Sequence, residues 1–218
     1  MLFIYEELLL LAIDNDKSTV LPSVRKRLGF GLAGAVLAEL ALQGRLQVNE
    51  KRRLEVSNEA VTGDKYLDKL LKKIQDLEKP RKVTFWIQML NDKPKKLRNE
   101  IFDHLVAKGY ALPEDDGSEE DESASDTAPA VKPTKYEIKR RLRASVLGGE
   151  AVDQHSLAVL SLARASKLLS LVFTKDERVV AQRRIHEAMV RSALENATAQ
   201  TLEVIEASVA SCLADSMR

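Results

Sequence analysis

Residues Gly31–Gln47, GLAGAVLAELALQGRLQ, decide how the rest of this chain is read. Leu28, Leu32, Val36 and Leu40 recur at i+4 spacing, and Leu37 and Ala41 widen the stripe, so a helix is expected over Ser23–Gln43. Gly44 follows as a natural left-handed stop. Directly after it, Arg45-Leu46-Gln47-Val48 and Arg53-Leu54-Glu55-Val56 alternate in polarity, with Asn49–Arg52 between them. That pattern is a β-hairpin.

The same periodicity continues on both sides. Glu6–Ile13 is expected as a short apolar helix. Asp64 caps a helix carrying Leu67, Leu70, Leu71 and Ile74. Thr84 is expected to cap Phe85–Leu90, in which Trp86 reads as core. Pro94 opens a helix with Leu97, Ile101, Phe102 and Leu105, stopped by Gly109. Further helices are expected over Lys135–Leu147, Val152–Phe173, Asp176–Asn196 and Ala199–Met217. Aromatic residues are only 5% of the 218, and hydrophobic ones 44%. These values favour helices over a β-sandwich, and the fold class expected is all-α, a mainly helical single domain with one or two small hairpins.

Charge divides the chain. Pro113–Thr134 holds eight acidic residues against Lys132, a net of −7. Its few apolar groups cannot offset ordering entropy, so a disordered acidic linker is expected. It separates an N-terminal part, 1–112, from a C-terminal part, 135–218, of one domain. With an overall formal charge of +1, the rest of the chain carries about +8. The acidic stretch could lie over this basic remainder and compete with anionic ligands.

Several function classes lose support at this stage. One cysteine, Cys212, excludes an internal disulfide framework, and His104, His155 and His186 show no metal-ligand spacing. No cofactor, metal or catalytic group is expected, because no motif pairs a nucleophile with a base. The apolar opening Met1–Tyr5 has no basic flank and is interrupted by Glu6 and Glu7. No run reaches the ~18–20 apolar residues of a membrane span, so membrane contact should be peripheral. Lys139, Arg140, Arg141 and Arg143 form a basic helix face of the kind usually solvated, with acidic lipid or the acidic linker as the other partners it could face.

Several short motifs, in order, carry a resemblance. They are Glu6-Glu7 with Leu8–Leu11 and Asp14, then Glu39–Leu46, then Thr62-Gly63-Asp64 with Leu67-Asp68. Leu105–Gly109, Ile138–Leu142 and Ala163–Ser166 follow. Together they resemble the Golgi phosphoprotein 3 family over nearly the whole chain, as a divergent or prokaryotic member. The resemblance implies a non-catalytic adaptor, peripheral on the cytosolic face of a membrane. It would bind phosphatidylinositol 4-phosphate-type head groups, with membrane-protein cargo as a further partner. In eukaryotic members a Trp and an Arg near the glycine-containing helix, and two Arg opening a later helix, surround the phosphates. The later pair falls on Lys95 and Arg98. The first Arg falls on Ala33 and the Trp near Leu21 or Pro22, with Arg25, Lys26 and Arg27 on the same approach. The head-group residues implied are therefore Lys95, Arg98, Arg25 and Arg27.

Two other classes compete with an anionic-lipid reader. A helix, a glycine and a two-stranded wing is also the order of a winged-helix nucleic-acid-binding protein. Against it, the helix from Gly31 offers only Glu39 and Gln43 as polar residues, and base reading needs a polar face. The other class is a protein-interaction scaffold without lipid binding.

Overall fold

A computed structural model describes residues 2–14, 19–111, 131–148 and 152–218. The acidic residues 114–126 lie outside them. Helix α1 spans Ile4–Ala12, α2 Arg25–Leu42, α3 Lys65–Gln75, α4 Val83–Asn91 and α5 Pro94–Ala107. The C-terminal part supplies α6, Val131–Leu147, α7, Gln154–Ala165, α8, Lys175–Ala193, and α9, Ala197–Asp215. Strands β1, Leu46–Val48, β2, Arg53–Val56, and β3, Arg81–Lys82, form an antiparallel sheet in the order β1-β2-β3. The fold is mainly helical, a single domain around one core.

Helix α2 is the axis of that core. Every residue from Leu28 to Ala41 is buried, so the helix is enclosed on all sides rather than on one stripe. Small residues let its neighbours approach. A Cβ at Gly34 would stand 2.4 Å from Val209 Cγ2 on α9 and 3.0 Å from Leu162 Cδ2 on α7. Helix α2 also packs on α1, α4 and α5, so its contacts with α7 and α9 join the halves on either side of the acidic segment. A helix buried this way has no face to lay in a nucleic-acid groove, so the winged-helix reading loses its recognition element.

The helix ends explain the boundaries. At Gly44, φ is 67°, the Gly44 N–H donates to the Ala41 carbonyl (3.0 Å) and the Arg45 N–H to the Leu40 carbonyl (2.8 Å). This closes a Schellman turn, and Gly109 closes another on α5. Asp64 caps α3 by accepting the N–H groups of Tyr66 and Leu67.

Three expectations are corrected. The helix expected over Val152–Phe173 stops at Ala165, because Lys167 turns left-handed (φ 56°) and the Leu168 N–H donates to the Ala163 carbonyl. A short 3-10 turn, Leu169–Leu171, follows. Thr84 does not cap α4. Pairing of β3 with β2 holds Arg81–Lys82 extended, and the helix opens at Val83 with Lys82 as its N-cap. Finally, Val131–Thr134, assigned to the linker, belong to the first turn of α6. Pro133 is tolerated there because the first N–H groups of a helix have no intrahelical partner.

The charges on α1 are structural. Glu6 is fully buried, accepts the Phe3 N–H (2.8 Å) and pairs with Lys108, the C-cap of α5 (2.6 Å). Glu7 pairs with Arg141 on α6 and faces His155 Nε2 at 3.3 Å, while Arg141 also donates to Ser156 (2.6 Å). Arg143 grips Glu177 through both carboxylate oxygens and donates to the Val172 carbonyl. The basic face of α6 is thus used in part inside the protein, not simply left to solvent. Buried carboxylates on an apolar helix need such partners, and α5 and α6 provide them.

Candidate functional site

Helices α2 and α5 begin side by side, and between their first turns opens a cleft of about 870 Å³. Neither helix has a side-chain N-cap, and neither has an acidic residue in its first turn. Arg25 is the first residue of α2. Lys95 and Arg98 lie in the first two turns of α5. All three line the cleft, and none makes an ion pair among the described residues. Among the described residues, only the Val20 carbonyl, at 3.5 Å, accepts from Arg25. Cations at a helix N-terminus face the positive end of the macrodipole, so this arrangement repels itself in the absence of an anion.

The remaining wall is mixed. Lys26 also lines the cleft, but its Nζ is held by the Ser216 carbonyl at the end of α9, 3.1 Å away. Asp92, just after α4, is the one carboxylate among the described lining residues. Asn91 sits beside it, at the last position of α4. Guanidinium and ammonium groups converging with two uncapped helix starts can hold phosphate oxygens by charge-assisted hydrogen bonds.

Arg27 is placed elsewhere. Its guanidinium donates to the Ser23 carbonyl (2.7 Å) and to the Lys167 carbonyl (2.9 Å), and it does not line the cleft. Two of the histidines face carboxylates, His104 Asp64 at 3.3 Å and His155 Glu7 at the same distance. Trp86 is only 1% exposed and sits in the core.

The sequence matches the model of the family described as Golgi phosphoprotein 3 (GPP34) over residues 4–207. The chain belongs to the Golgi phosphoprotein 3 family. It is also similar to the vacuolar protein sorting-associated protein 74 of Eremothecium gossypii, with 29% identity over 128 residues. That match covers 50% of this chain and 38% of the relative, so the chain spans well under half of that relative's length.

Within this Golgi phosphoprotein 3 fold, the positions carried over from the family motif separate. Lys95 and Arg98 reach the cleft, and so does Pro22, near which the family tryptophan falls. Ala33, at the place of the family's first arginine, is fully buried in the core and does not line it. Asn91 and Asp92 went unnoticed in the sequence. They follow an apolar helix and precede Lys93-Pro94, and nothing in that local pattern separates a wall residue from an ordinary helix end.

Proposed function

We propose that this protein is a peripheral membrane-binding adaptor whose cleft takes the phosphorylated head group of an anionic, phosphoinositide-type lipid. The observation that carries this reading is the convergence of Arg25, Lys95 and Arg98, without ion-pair partners among the described residues, at the starts of two helices that lack side-chain caps. Membership of the Golgi phosphoprotein 3 family supports the same reading. Among the described lining residues Asp92 is the one carboxylate, and the three cations are placed by helices α2 and α5. Lys95 and Arg98 contact the phosphate, and Arg25 closes the opposite side. Arg27 has no part in it, since its guanidinium is occupied by two carbonyls.

The reading makes the protein an adaptor rather than a catalyst, stationed on the cytosolic face of a membrane, with membrane-protein cargo as its second partner. Among the described residues, no helix is long and apolar enough to cross a membrane, and a peripheral attachment accords with that. Each cation held near an anionic surface contributes about 1 kcal/mol, so binding is salt-sensitive. Flotation with vesicles containing phosphatidylinositol 4-phosphate, or phosphatidylserine at matched charge, tests it. Preferential binding to the former, lost in Lys95→Ala/Arg98→Ala with unchanged thermal unfolding, is the expected result. Equal binding to both would leave a nonspecific membrane adaptor. Binding to neither would leave a protein scaffold.

A further inference from the structure

Helices α3 and α5 meet where the α3 N-cap, Asp64, faces His104 of α5 at 3.3 Å. Away from that pair a second groove, of about 330 Å³, opens between the two helices and the end of α4. Helix α3 rests on β2 and α2, and another of its faces forms one wall of this groove.

Both walls repeat one pattern. Tyr66, Lys69, Leu70 and Lys73 line the groove from α3, at i, i+3, i+4 and i+7. Lys93, Lys96, Leu97 and Glu100 line it from the N-cap and first turns of α5, at the same spacing. Such offsets share one face of a helix, so each wall presents a leucine flanked by lysines. Leu70 and Leu97 are buried, Met89 and Leu90 at the end of α4 are half-buried, and the four lysines are exposed. The side chains of Lys69, Lys73 and Lys93 have no hydrogen bond or ion pair among the described residues. Lys96 reaches only Glu100 on its own helix, at 3.9 Å.

An apolar floor inside a rim of lysines asks two things of a ligand at once. The ammonium groups call for anions, and the floor calls for aliphatic or aromatic carbon. A nucleic-acid backbone supplies the first without the second. A bilayer surface meets the lysines but does not reach a floor recessed between two helices. An acidic amphipathic peptide supplies both. Its apolar side chains at i and i+3 or i+4 enter the groove, and its carboxylates lie along the rim. The volume is at the small end of ligand-sized clefts, room for anchor side chains rather than for a folded body. Lysines suit such a rim, because flexible point charges follow carboxylates without fixing their geometry.

We propose that the groove between α3 and α5 is a docking site for an acidic amphipathic peptide segment of a partner protein. Leu70, Met89, Leu90 and Leu97 take its apolar side chains, and the four lysines take its carboxylates. The proposal does not rest on the head-group reading, since Arg25, Lys95 and Arg98 stand outside this groove.

A displayed library of random peptides of about 16 residues, long enough for four helical turns, is panned on the full chain and counter-selected on Lys69→Glu/Lys73→Glu. The selected peptides should carry aliphatic or aromatic residues at i and i+3 or i+4, flanked by Asp or Glu. By fluorescence anisotropy, such a peptide should bind about tenfold more weakly to Lys69→Gln/Lys73→Gln, the worth of two exposed charge contacts. Met89→Ser should weaken it as well, through lost apolar burial, and Lys95→Ala/Arg98→Ala should leave it unchanged. Selected peptides without acidic residues, equal binding to Lys69→Gln/Lys73→Gln, or no selected peptide at all overturns the proposal. So does equally tight binding of a synthetic peptide of residues 114–126, which is acidic with Ala124 as its one apolar side chain, because charge alone would then be read. Loss of phosphatidylserine-vesicle flotation in Lys69→Gln/Lys73→Gln, with no peptide selected, would make this face a membrane surface instead. If Met89→Ser does not fold, the exposed lysine pair decides the matter.

Discussion

Arg27 Nη1 donates to the backbone carbonyl of Lys167 at 2.9 Å, joining the first turns of α2 to the left-handed residue that ends α7. A cation that belongs by sequence to the basic approach of the cleft is thereby spent on holding a turn. Arg27→Ala should lower stability by about 1 kcal/mol, the net worth of such a hydrogen bond, and leave vesicle binding unchanged. Urea unfolding beside vesicle flotation checks both halves. Arg25→Ala should do the opposite, weakening binding with little effect on unfolding.

Lys167 itself adopts φ 56°, a conformation that costs a residue with a Cβ roughly 1–2 kcal/mol. Lys167→Gly should therefore raise the unfolding midpoint, with a gain in stability of up to about 1 kcal/mol after glycine's larger entropy loss is counted. Lys167→Val, β-branched and poorly suited to this region, should lower it. Equal midpoints for the two variants would show that the turn is not strained.

Among the described residues lining the cleft, Asp92 is the one carboxylate, and no ion pair holds it. Asp92→Asn removes a negative charge beside Lys95 and Arg98, so binding to anionic vesicles should strengthen at low salt. The gain should shrink as salt rises, because screening shortens the reach of the carboxylate. Flotation at two ionic strengths measures this.

Burial pushes the Lys135 ammonium down to about 8, helped by the nearby charge of Lys139 and opposed by Asp14. Its Nζ donates to the Ile13 carbonyl at 2.5 Å. Below pH 8 the group is charged in both states but buried only in the folded one, which subtracts stability. Between pH 8 and the ordinary lysine value near 10.5, the folded chain has lost the proton and the unfolded chain has not, so this deficit shrinks as pH rises. Lys135→Met should remove that rise, and unfolding curves of the two proteins from pH 7 to 10 should converge.

On the acid side, the Arg143 hydrogen bond holds the Glu177 carboxyl below its usual range, and the Thr62 backbone N–H does the same for Asp68. Each contributes stability above the ordinary carboxylate pKa, and that contribution is lost as pH falls through the lowered values. Arg143→Met should reduce the Glu177 part, leaving the share due to the Thr174 N–H, and flatten the acid limb of the stability profile, read by circular dichroism between pH 6 and 2.

The local signals in the chain determined a good deal. Small residues, Gly44 and the alternation after it were enough for a buried helix and a hairpin, because caps, glycine stops and side-chain period act over a few residues. Asp64, Pro94 and Gly109 marked their helix ends for the same reason. The family motifs brought Lys95 and Arg98 forward, although the cleft they line was not visible in them.

Only the tertiary structure decided the rest. The break after Ala165 has no glycine to announce it, since Lys167 is held in its left-handed turn in part by Arg27 from another helix. Strand β3 is two residues long and exists through pairing with β2. Glu6 and Glu7 looked like interruptions of an apolar run until α5 and α6 brought Lys108 and Arg141 to them. The sorting of Arg25 into the cleft and Arg27 out of it, and the seat of Asn91 against Gly29, depend on how α2, α4 and α5 cross. Residues 62 positions apart meet there, and sequence spacing has no access to a contact that packing alone creates.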